Sequence, residues 1–447
     1  AILLCAAVTI FMMHRSRWEE WRKILKYFFT TYPLGSFGLG FGCLLLFTGL
    51  ILEPSGDAPF SSLPSTFSPF NMDDGMEMLV SRTGFGLRSS ILFSLCARWH
   101  SNTVSGCFGL LMYLSIAFST YSLARRYSWP STALTVTLVV ISMPKLVYQS
   151  FSPADGLLSA AAGLFCLLAV HRLIEQPNAE DIGLLLPGIF FGITEDPVGW
   201  VFPMILLLLA GVLLIRRHGT GYWRGFILGR PLGLGGAVLS ALIFSGFPRD
   251  LMHYTFPKPG PGPAYQANQD GLIGAASNLI RYLLESAEPI PPLDRLWNWT
   301  MGVRLSDQFQ KGYEHFFMPL VGGRGAAEPF ALGHYQNMEV AWFGPLAFLL
   351  ILPAVGYALF RGHRRIKAVA VSLMGYLYVI ALMLAWKIGN GKFLTVFFTC
   401  GGFLVAFLLP PWRVSGSTKR LLQLAALLLL FYSISHHPNL RALISNP

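Results

Sequence analysis

The stretch Phe343–Lys387, FGPLAFLLILPAVGYALFRGHRRIKAVAVSLMGYLYVIALMLAWK, contains two apolar runs separated by the basic segment RGHRRIK. Each run is about 20 residues long, which is the length an α-helix needs to cross a hydrocarbon core of about 30 Å. Short loops rich in Lys and Arg stay on the cytoplasmic side of a membrane. The stretch therefore predicts two transmembrane helices joined by a cytoplasmic connection.

The composition of the whole chain agrees with this interpretation. The 447 residues are 53% hydrophobic and 12% charged, with a mean hydropathy of +0.53, whereas soluble domains are about 25% charged. The short alternating segments of a β-barrel are absent from the sequence. The net charge of +11 comes without a basic patch interleaved with aromatics, so nucleic acid is not predicted as a partner. The chain is predicted to be an integral membrane protein.

The same pattern predicts an all-α polytopic fold with about twelve transmembrane helices. They cover residues 1–13, 33–52, 105–124, 130–147, 154–171, 180–194, 198–215, 226–246, 341–360, 367–386, 392–410 and 420–435. The pair 180–194 and 198–215 is separated only by TEDPVGW, so it could also be one broken helix. The prediction divides the chain into a transmembrane module 1–246 with an outer loop 53–104, an outer region 247–340 and a transmembrane module 341–447.

The distribution of Lys and Arg predicts which connections between the spans are cytoplasmic and which are on the outer side. If HRSRWEEWRK is cytoplasmic, the alternation of spans puts the other strongly basic connections on the same side, whereas Lys145, Lys387 and Lys392 lie in short connections opposite. The acids follow the other side. Of the 22 Asp and Glu residues, only Glu19, Glu20, Glu175, Glu180 and Asp181 are predicted to lie inside. Any chemistry is therefore expected at the outer face.

The segment NMDDGMEMLVSR, residues 71–82, concentrates acid in the first outer loop. Asp73 or Asp74 could cap the following helix, where the helix dipole favours an ionised carboxylate. Alternatively, one aspartate is a general base that deprotonates an acceptor, while Arg82 and Arg88 attract a lipid-linked phosphate. The residues alone leave both interpretations open.

A resemblance favours the second interpretation. The order of spans and loops resembles the GT-C class of membrane glycosyltransferases, and within it the PMT and RgtA/B/C/D-like group. That group often carries Trp-Asp-Ser, three residues, His, two residues and Arg in the first outer loop. Here Asp74 and Arg82 match the Asp and the Arg, whereas Leu79 stands in place of the His. A second family string, Glu-Asp-x-x-Gly-Asn-Pro-Leu, resembles EVAWFGPL through Glu339, Pro345 and Leu346.

The resemblance implies an enzyme that transfers a sugar from a polyprenyl-phosphate carrier to an acceptor on the outer membrane face. Asp74 would then be the base or would orient the acceptor, with Asp73 beside it, and Arg82 would hold the phosphate. The partners implied are the lipid-linked sugar, the bilayer and further membrane proteins. The implied location is the bacterial cytoplasmic membrane.

Four further residues are candidates for the same outer site. Glu195 and Asp196 in TEDPVGW are either solvated loop residues or a second group of acidic residues lining an outer cavity, around an acceptor or a divalent metal. Lys387 and Lys392 in WKIGNGK either anchor the helix ends at the interface or hold a lipid phosphate as point charges. No His or Cys spacing typical of a metal site occurs in the sequence, so no cofactor is firmly predicted.

Within the outer region, LIGAASNLIRYLLES predicts an amphipathic helix, with Leu272, Ala276, Leu279 and Leu283 at helical spacing. Two alternatives to an enzyme stay open. The chain could be a non-catalytic subunit that keeps a GT-C-like scaffold, because its motifs depart from the family strings. A transporter or lipid flippase is less favoured, since the centres of the predicted spans carry few charges.

Overall fold

The computed structural model describes residues 102–150, 155–175, 201–222, 266–289, 291–332, 343–387, 390–410 and 414–436, together with 185 and 189. All of them belong to one of two compact units, Thr48–Pro447. The described ranges consist of helices joined by turns and contain no strand, only the isolated bridges Ala267–Leu384 and Ala326–Trp386. The predicted all-α class is confirmed for this part of the chain.

Five helices of the described ranges come before the outer region. They are α1 (Asn102–Tyr127), α2 (Pro130–Ile141), α3 (Pro144–Gln149), α4 (Asp155–Glu175) and α5 (Val201–His218). Both α2 and α3 begin with proline, which lacks an N–H and is pre-set for the first helical position. Between them the chain makes only a brief break, so the predicted span 130–147 is two helices.

The second half contains the outer region and the C-terminal helices. Its helices are α6 (Gly271–Ser286), α7 (Pro291–Met301), α8 (Leu305–Gly312), a π-turn Tyr313–Phe317, α9 (Met318–Val321), a π-turn Ala347–Ile351, α10 (Leu352–Arg361), α11 (Arg364–Met383), α12 (Gly391–Gly401) with a 3₁₀ extension Gly402–Phe407, and α13 (Gly416–Ser435). Ser415 caps α13 by accepting a 3.2 Å hydrogen bond from the Thr418 amide.

Four of the described helices are long and apolar enough to cross a membrane: Gly156–Glu175, Val201–His218, Arg364–Met383 and Gly416–Ser435. Pro130–Ile141, Ala347–Arg361 and Gly391–Phe407 are shorter apolar helices. The chain is therefore a helical membrane protein by the length and composition of these helices. The predicted spans 1–13, 33–52 and 226–246 and most of 180–194 lie outside the described residues, so twelve crossings and the division into 1–246, 247–340 and 341–447 stay predictions.

Helix ends that were predicted to lie on the same side of the membrane contact each other in the structure. At one end, Glu175 of α4 accepts from Arg126 of α1 at 2.6 Å and lies 3.6 Å from Arg365 of α11. All three residues were predicted to be cytoplasmic, and we call this the inner end. The opposite, outer end contains α3, the polypeptide turn between α11 and α12, and the C-terminus of α13, where Tyr148 donates to the His436 carbonyl at 3.2 Å.

Helix α6 lies across the outer end of α11. The backbone amide of Asn268 donates to the Met383 carbonyl at 3.1 Å. The side chain of Asn278 donates to the carbonyls of Ala381 and Leu384 at 3.2 and 2.9 Å. The last carbonyls of a helix have no partner within the helix. The outer region therefore caps α11 and is fixed against the helices by that cap.

Candidate polar site at the outer end

Most of the predicted site residues lie outside the described part of the chain. These are Asp73, Asp74, Arg82, Arg88, Glu195, Asp196 and Glu339. Their predicted roles are neither confirmed nor contradicted by the structure. Lys387 and Lys392 are described, and they lie on either side of the α11–α12 turn at the outer end.

Lys387 has an acidic partner. Its Nζ atom lies 3.7 Å from Glu328 Oε1, and both side chains are about half exposed. Exposed ion pairs of this kind contribute about 0–1 kcal/mol, so the pair is easily opened by a competing anion. The Nζ atom of Lys392 lies 5.5 Å from the centre of the Phe393 ring, a distance at which a cation is attracted to the face of an aromatic ring.

The most unusual group at this end is the carboxyl of Glu285 on α6. It is half-buried, and its Oε2 atom accepts a 3.3 Å hydrogen bond from the indole Nε1 of Trp386. Burial raises the pKa of Glu285 to about 7, although the Lys145 ammonium and the Trp386 hydrogen bond lower it and the charge of Glu288 raises it. A carboxyl with such a pKa can take up or release a proton near neutral pH.

Gly391 makes room for this carboxyl. A β-carbon on residue 391 would clash with Glu285 Oε1, because it would lie closer than a carbon and an oxygen that are not bonded can approach. The first residue of α12 therefore has to be glycine for the carboxyl of Glu285 to occupy its observed position beside Trp386. The side chain of Asn390 fixes the same turn by donating to the Ala385 carbonyl at 2.9 Å.

Helix α3 supplies two buried polar side chains. Lys145 and Gln149 lie one turn apart on α3, and their exposed fractions are 0% and 2%. A β-carbon on Gly156 would lie 3.0 Å from Gln149 Nε2 and 3.2 Å from the Lys392 carbonyl, so Gln149 lies against the start of α4, where α12 also approaches. Within the described residues, Gln149 Oε1 has no hydrogen-bond partner, and such an atom is costly to bury.

Arg281, one turn before Glu285, has a structural role. It is 1% exposed, and its guanidinium donates to the Tyr313 hydroxyl at 3.0 Å, to Asn278 Oδ1 at 2.9 Å and to the carbonyls of Arg324 and Gly322 at 2.8 and 3.1 Å. All four acceptors are neutral. The network joins α6 to the segment 313–324, and it holds the polar face of α6 in place.

Sequence reasoning did not select Lys145, Arg281 or Glu285 as site residues. One signal was present: Asn278, Arg281, Tyr282 and Glu285 recur at the spacing of one helix face, opposite the apolar stripe that predicted an amphipathic helix. Their approach to Lys145 carries no comparable signal, because the two segments are far apart in the chain.

Metal binding has no support among the residues that the structure covers, which contain no group of three or more His, Cys, Asp or Glu side chains able to hold an ion.

Comparisons with protein-family models, with curated proteins and with solved structures gave no match for this chain. The class that the described residues define is thus a helical membrane protein with a buried polar cluster at one end. We call Lys145, Gln149, Glu285, Trp386 and Asn390 the outer polar cluster.

Proposed function

We propose that the protein is a GT-C-like glycosyltransferase that moves a sugar from a polyprenyl-phosphate carrier to an acceptor at its outer face. One observation carries the proposal: the Glu285 carboxyl, whose pKa burial raises to about 7 and the charge of Lys145 lowers in part, lies at the end of the helices where the outer connections are predicted to meet. Perturbed ionisable groups of this kind concentrate at functional sites.

The proposed reaction needs a base and a set of cations. A carboxylate, Asp74 in the resemblance, takes the proton from an acceptor hydroxyl, whose oxygen bonds to the anomeric carbon as the bond from that carbon to the phosphate oxygen breaks. Polyprenyl phosphate leaves with the electron pair. Its added negative charge is stabilised by cations placed in advance, for which Arg82, Lys387 and Lys392 are the candidates.

The other predicted residues have supporting roles in this proposal. Arg88 would add positive charge beside Arg82, Glu195 and Asp196 would line the acceptor side, and Glu339 would contribute to substrate binding. Lysine and arginine can neutralise the phosphate, and a divalent metal held by Glu195 and Asp196 would add to that effect.

Transfer assays test the proposal directly. Wild-type protein and the Asp74→Asn variant are reconstituted in proteoliposomes and supplied with polyprenyl-phosphate sugars and acceptor. General base catalysis contributes about 10²- to 10⁴-fold, so the variant is expected to lose transfer by that factor. Equal transfer would remove Asp74 from the mechanism. A wild-type protein that is inactive with every donor would refute the proposed glycosyltransferase activity.

One observation favours a second candidate, a non-catalytic scaffold subunit of a larger membrane assembly. Lys387 already pairs with Glu328, and the Lys145 ammonium acts on Glu285, so two cations of the outer end are partly neutralised within the chain. A scaffold would co-purify with a membrane protein covering the outer end, and the substitution Lys387→Met would leave that association intact. An enzyme would instead show a raised KM for the lipid donor in the same variant.

A further inference from the structure

Helix α6 has its polar and apolar faces in the reverse of the usual order. Its buried side is polar: Ser277 and Asn278 are 0% exposed, and Arg281 and Tyr282 are 1% exposed. Its exposed side is apolar, with Leu272 at 68%, Ile273 at 52% and Leu283 at 40%. An amphipathic helix on a water-facing surface buries its apolar stripe and exposes its polar face. The arrangement of α6 is that of a helix whose outer surroundings are not water.

The exposed stripe of α6 contains no charge. Between Leu272 and Leu283, four residues are not buried, and all four are apolar: Ile273, Ala276, Leu279 and Ile280. The two ionisable side chains that could interrupt it, Arg281 and Glu285, turn toward the protein, where they meet Tyr313 and Trp386. Each Leu or Ile placed in hydrocarbon contributes about −0.3 to −0.6 kcal/mol, whereas in water the same stripe would be an exposed apolar patch.

This stripe lies next to the exposed surface of a helix that is long and apolar enough to cross a membrane. That helix is α11, one of four such helices among the described residues, and it exposes Val371, Met374 and Tyr378 along one side, each at about 40%. The hydrogen bond from the Asn268 backbone amide to the Met383 carbonyl places the start of α6 at the outer end of α11, one to two turns beyond Tyr378. The two apolar surfaces are thus adjacent at the outer end.

The contacts of α6 place it across the outer end of α11 and not along the length of that helix. From Asn268 to Glu285, its hydrogen-bond partners on α11 and on the turn that follows fall within residues 381–386, and Gly391 at the start of α12 lies against Glu285. A helix of 16 residues is about 24 Å long, shorter than a hydrocarbon core of about 30 Å.

We propose that α6 is embedded in the outer leaflet of the bilayer, with Leu272, Ala276 and Leu283 in contact with lipid acyl chains and its polar face covering the outer polar cluster. The occupant of this surface is lipid. The inference does not depend on the glycosyltransferase proposal, because it rests on exposure and on continuity with α11. It places Glu285 at the edge of the membrane, beside a surface that a lipid-linked molecule can reach.

Spin labelling tests this placement in the full-length protein. Cysteines other than the buried Cys166 and Cys400 are replaced, and labels are attached singly at Ile273, Ala276 and Leu283 in protein reconstituted in nanodiscs. A label at Val371 on α11 is the lipid reference, and one at Gln308, exposed on α8, is the water reference. Collision rates with oxygen and with a water-soluble nickel chelate report the surroundings of each label.

All three α6 labels are expected to collide more with oxygen than with nickel, as the Val371 label does. Collision with nickel at the rate of the Gln308 label would show that the stripe faces water and would overturn the proposal. Protection from both reagents would show a protein partner or second copy on the stripe, and would overturn it equally. Only samples that elute as monodisperse nanodiscs are compared, and three positions guard against the misfolding of any one variant.

Discussion

The two ends of the helical bundle are held together by different kinds of interaction. At the inner end, partly exposed charges form the pairs Arg126–Glu175 and Arg365–Glu175. At the outer end, a buried arginine donates to neutral oxygens, asparagines cap α11, and the raised pKa of the Glu285 carboxyl is lowered in part by the charge of a buried lysine. Exposed ion pairs contribute little and are screened by salt, whereas buried polar groups are costly once a partner is lost. Removing a buried polar side chain at the outer end is therefore expected to cost more stability than removing a partly exposed charge at the inner end.

The largest effect is expected at Gly325, beside the start of α6. Its φ is 72° and an added β-carbon would lie 2.6 Å from the Gly274 carbonyl oxygen, so Gly325→Ala combines backbone strain with a backbone clash. We expect it to lower the free energy of unfolding by about 2–4 kcal/mol, read as a fall in Tm in detergent. Gly323→Ala is the matched control, because nothing lies within 4 Å of its β-carbon. Equal Tm values for the two variants would contradict the observed packing of this turn.

A buried and an exposed arginine sharpen the contrast between the ends. Arg281→Met removes the donor to four acceptors and should cost about 1–3 kcal/mol or more, since buried oxygens lose their partner. Arg365→Met at the inner end removes a 3.6 Å pair and should cost about 0–1 kcal/mol. Thermal unfolding at low and high salt distinguishes them, because only the effect of Arg365→Met should diminish with salt. A reversed order would refute the contrast.

A further effect on stability is a dependence on pH at Glu285. Burial raises the pKa of this carboxyl to about 7 in the folded protein, whereas the ordinary value for a glutamate is 4.5. Between these values the folded state binds more protons than the unfolded state, so stability falls as the pH rises through this window. Glu285→Gln should flatten that part of the Tm–pH curve. An unchanged slope would mean that Glu285 has an ordinary pKa.

Part of this structure could be predicted from the sequence. Apolar length and basic connections predict spans at 367–386 and 420–435, and the structure has apolar helices at Arg364–Met383 and Gly416–Ser435. The predicted cytoplasmic residues Arg126, Glu175 and Arg365 do meet. These features depend on local hydropathy and charge. The amphipathic helix at 271–286 was also predicted, but periodicity does not say which face is buried when one neighbour is lipid. The approach of Lys145 to Glu285 depends on tertiary packing and could not be predicted.

If the outer polar cluster belongs to a working site, substitutions of two glutamates at opposite ends of the helices should differ in their effect on transfer. Transfer from a polyprenyl-phosphate sugar is measured across pH 5–8, around the Glu285 pKa of about 7, for wild type, Glu285→Gln and the inner-end control Glu175→Gln. We expect Glu285→Gln to lose most transfer and its pH dependence near pH 7, while Glu175→Gln stays close to wild type. Active Glu285→Gln protein with an unchanged pH profile would contradict the claim.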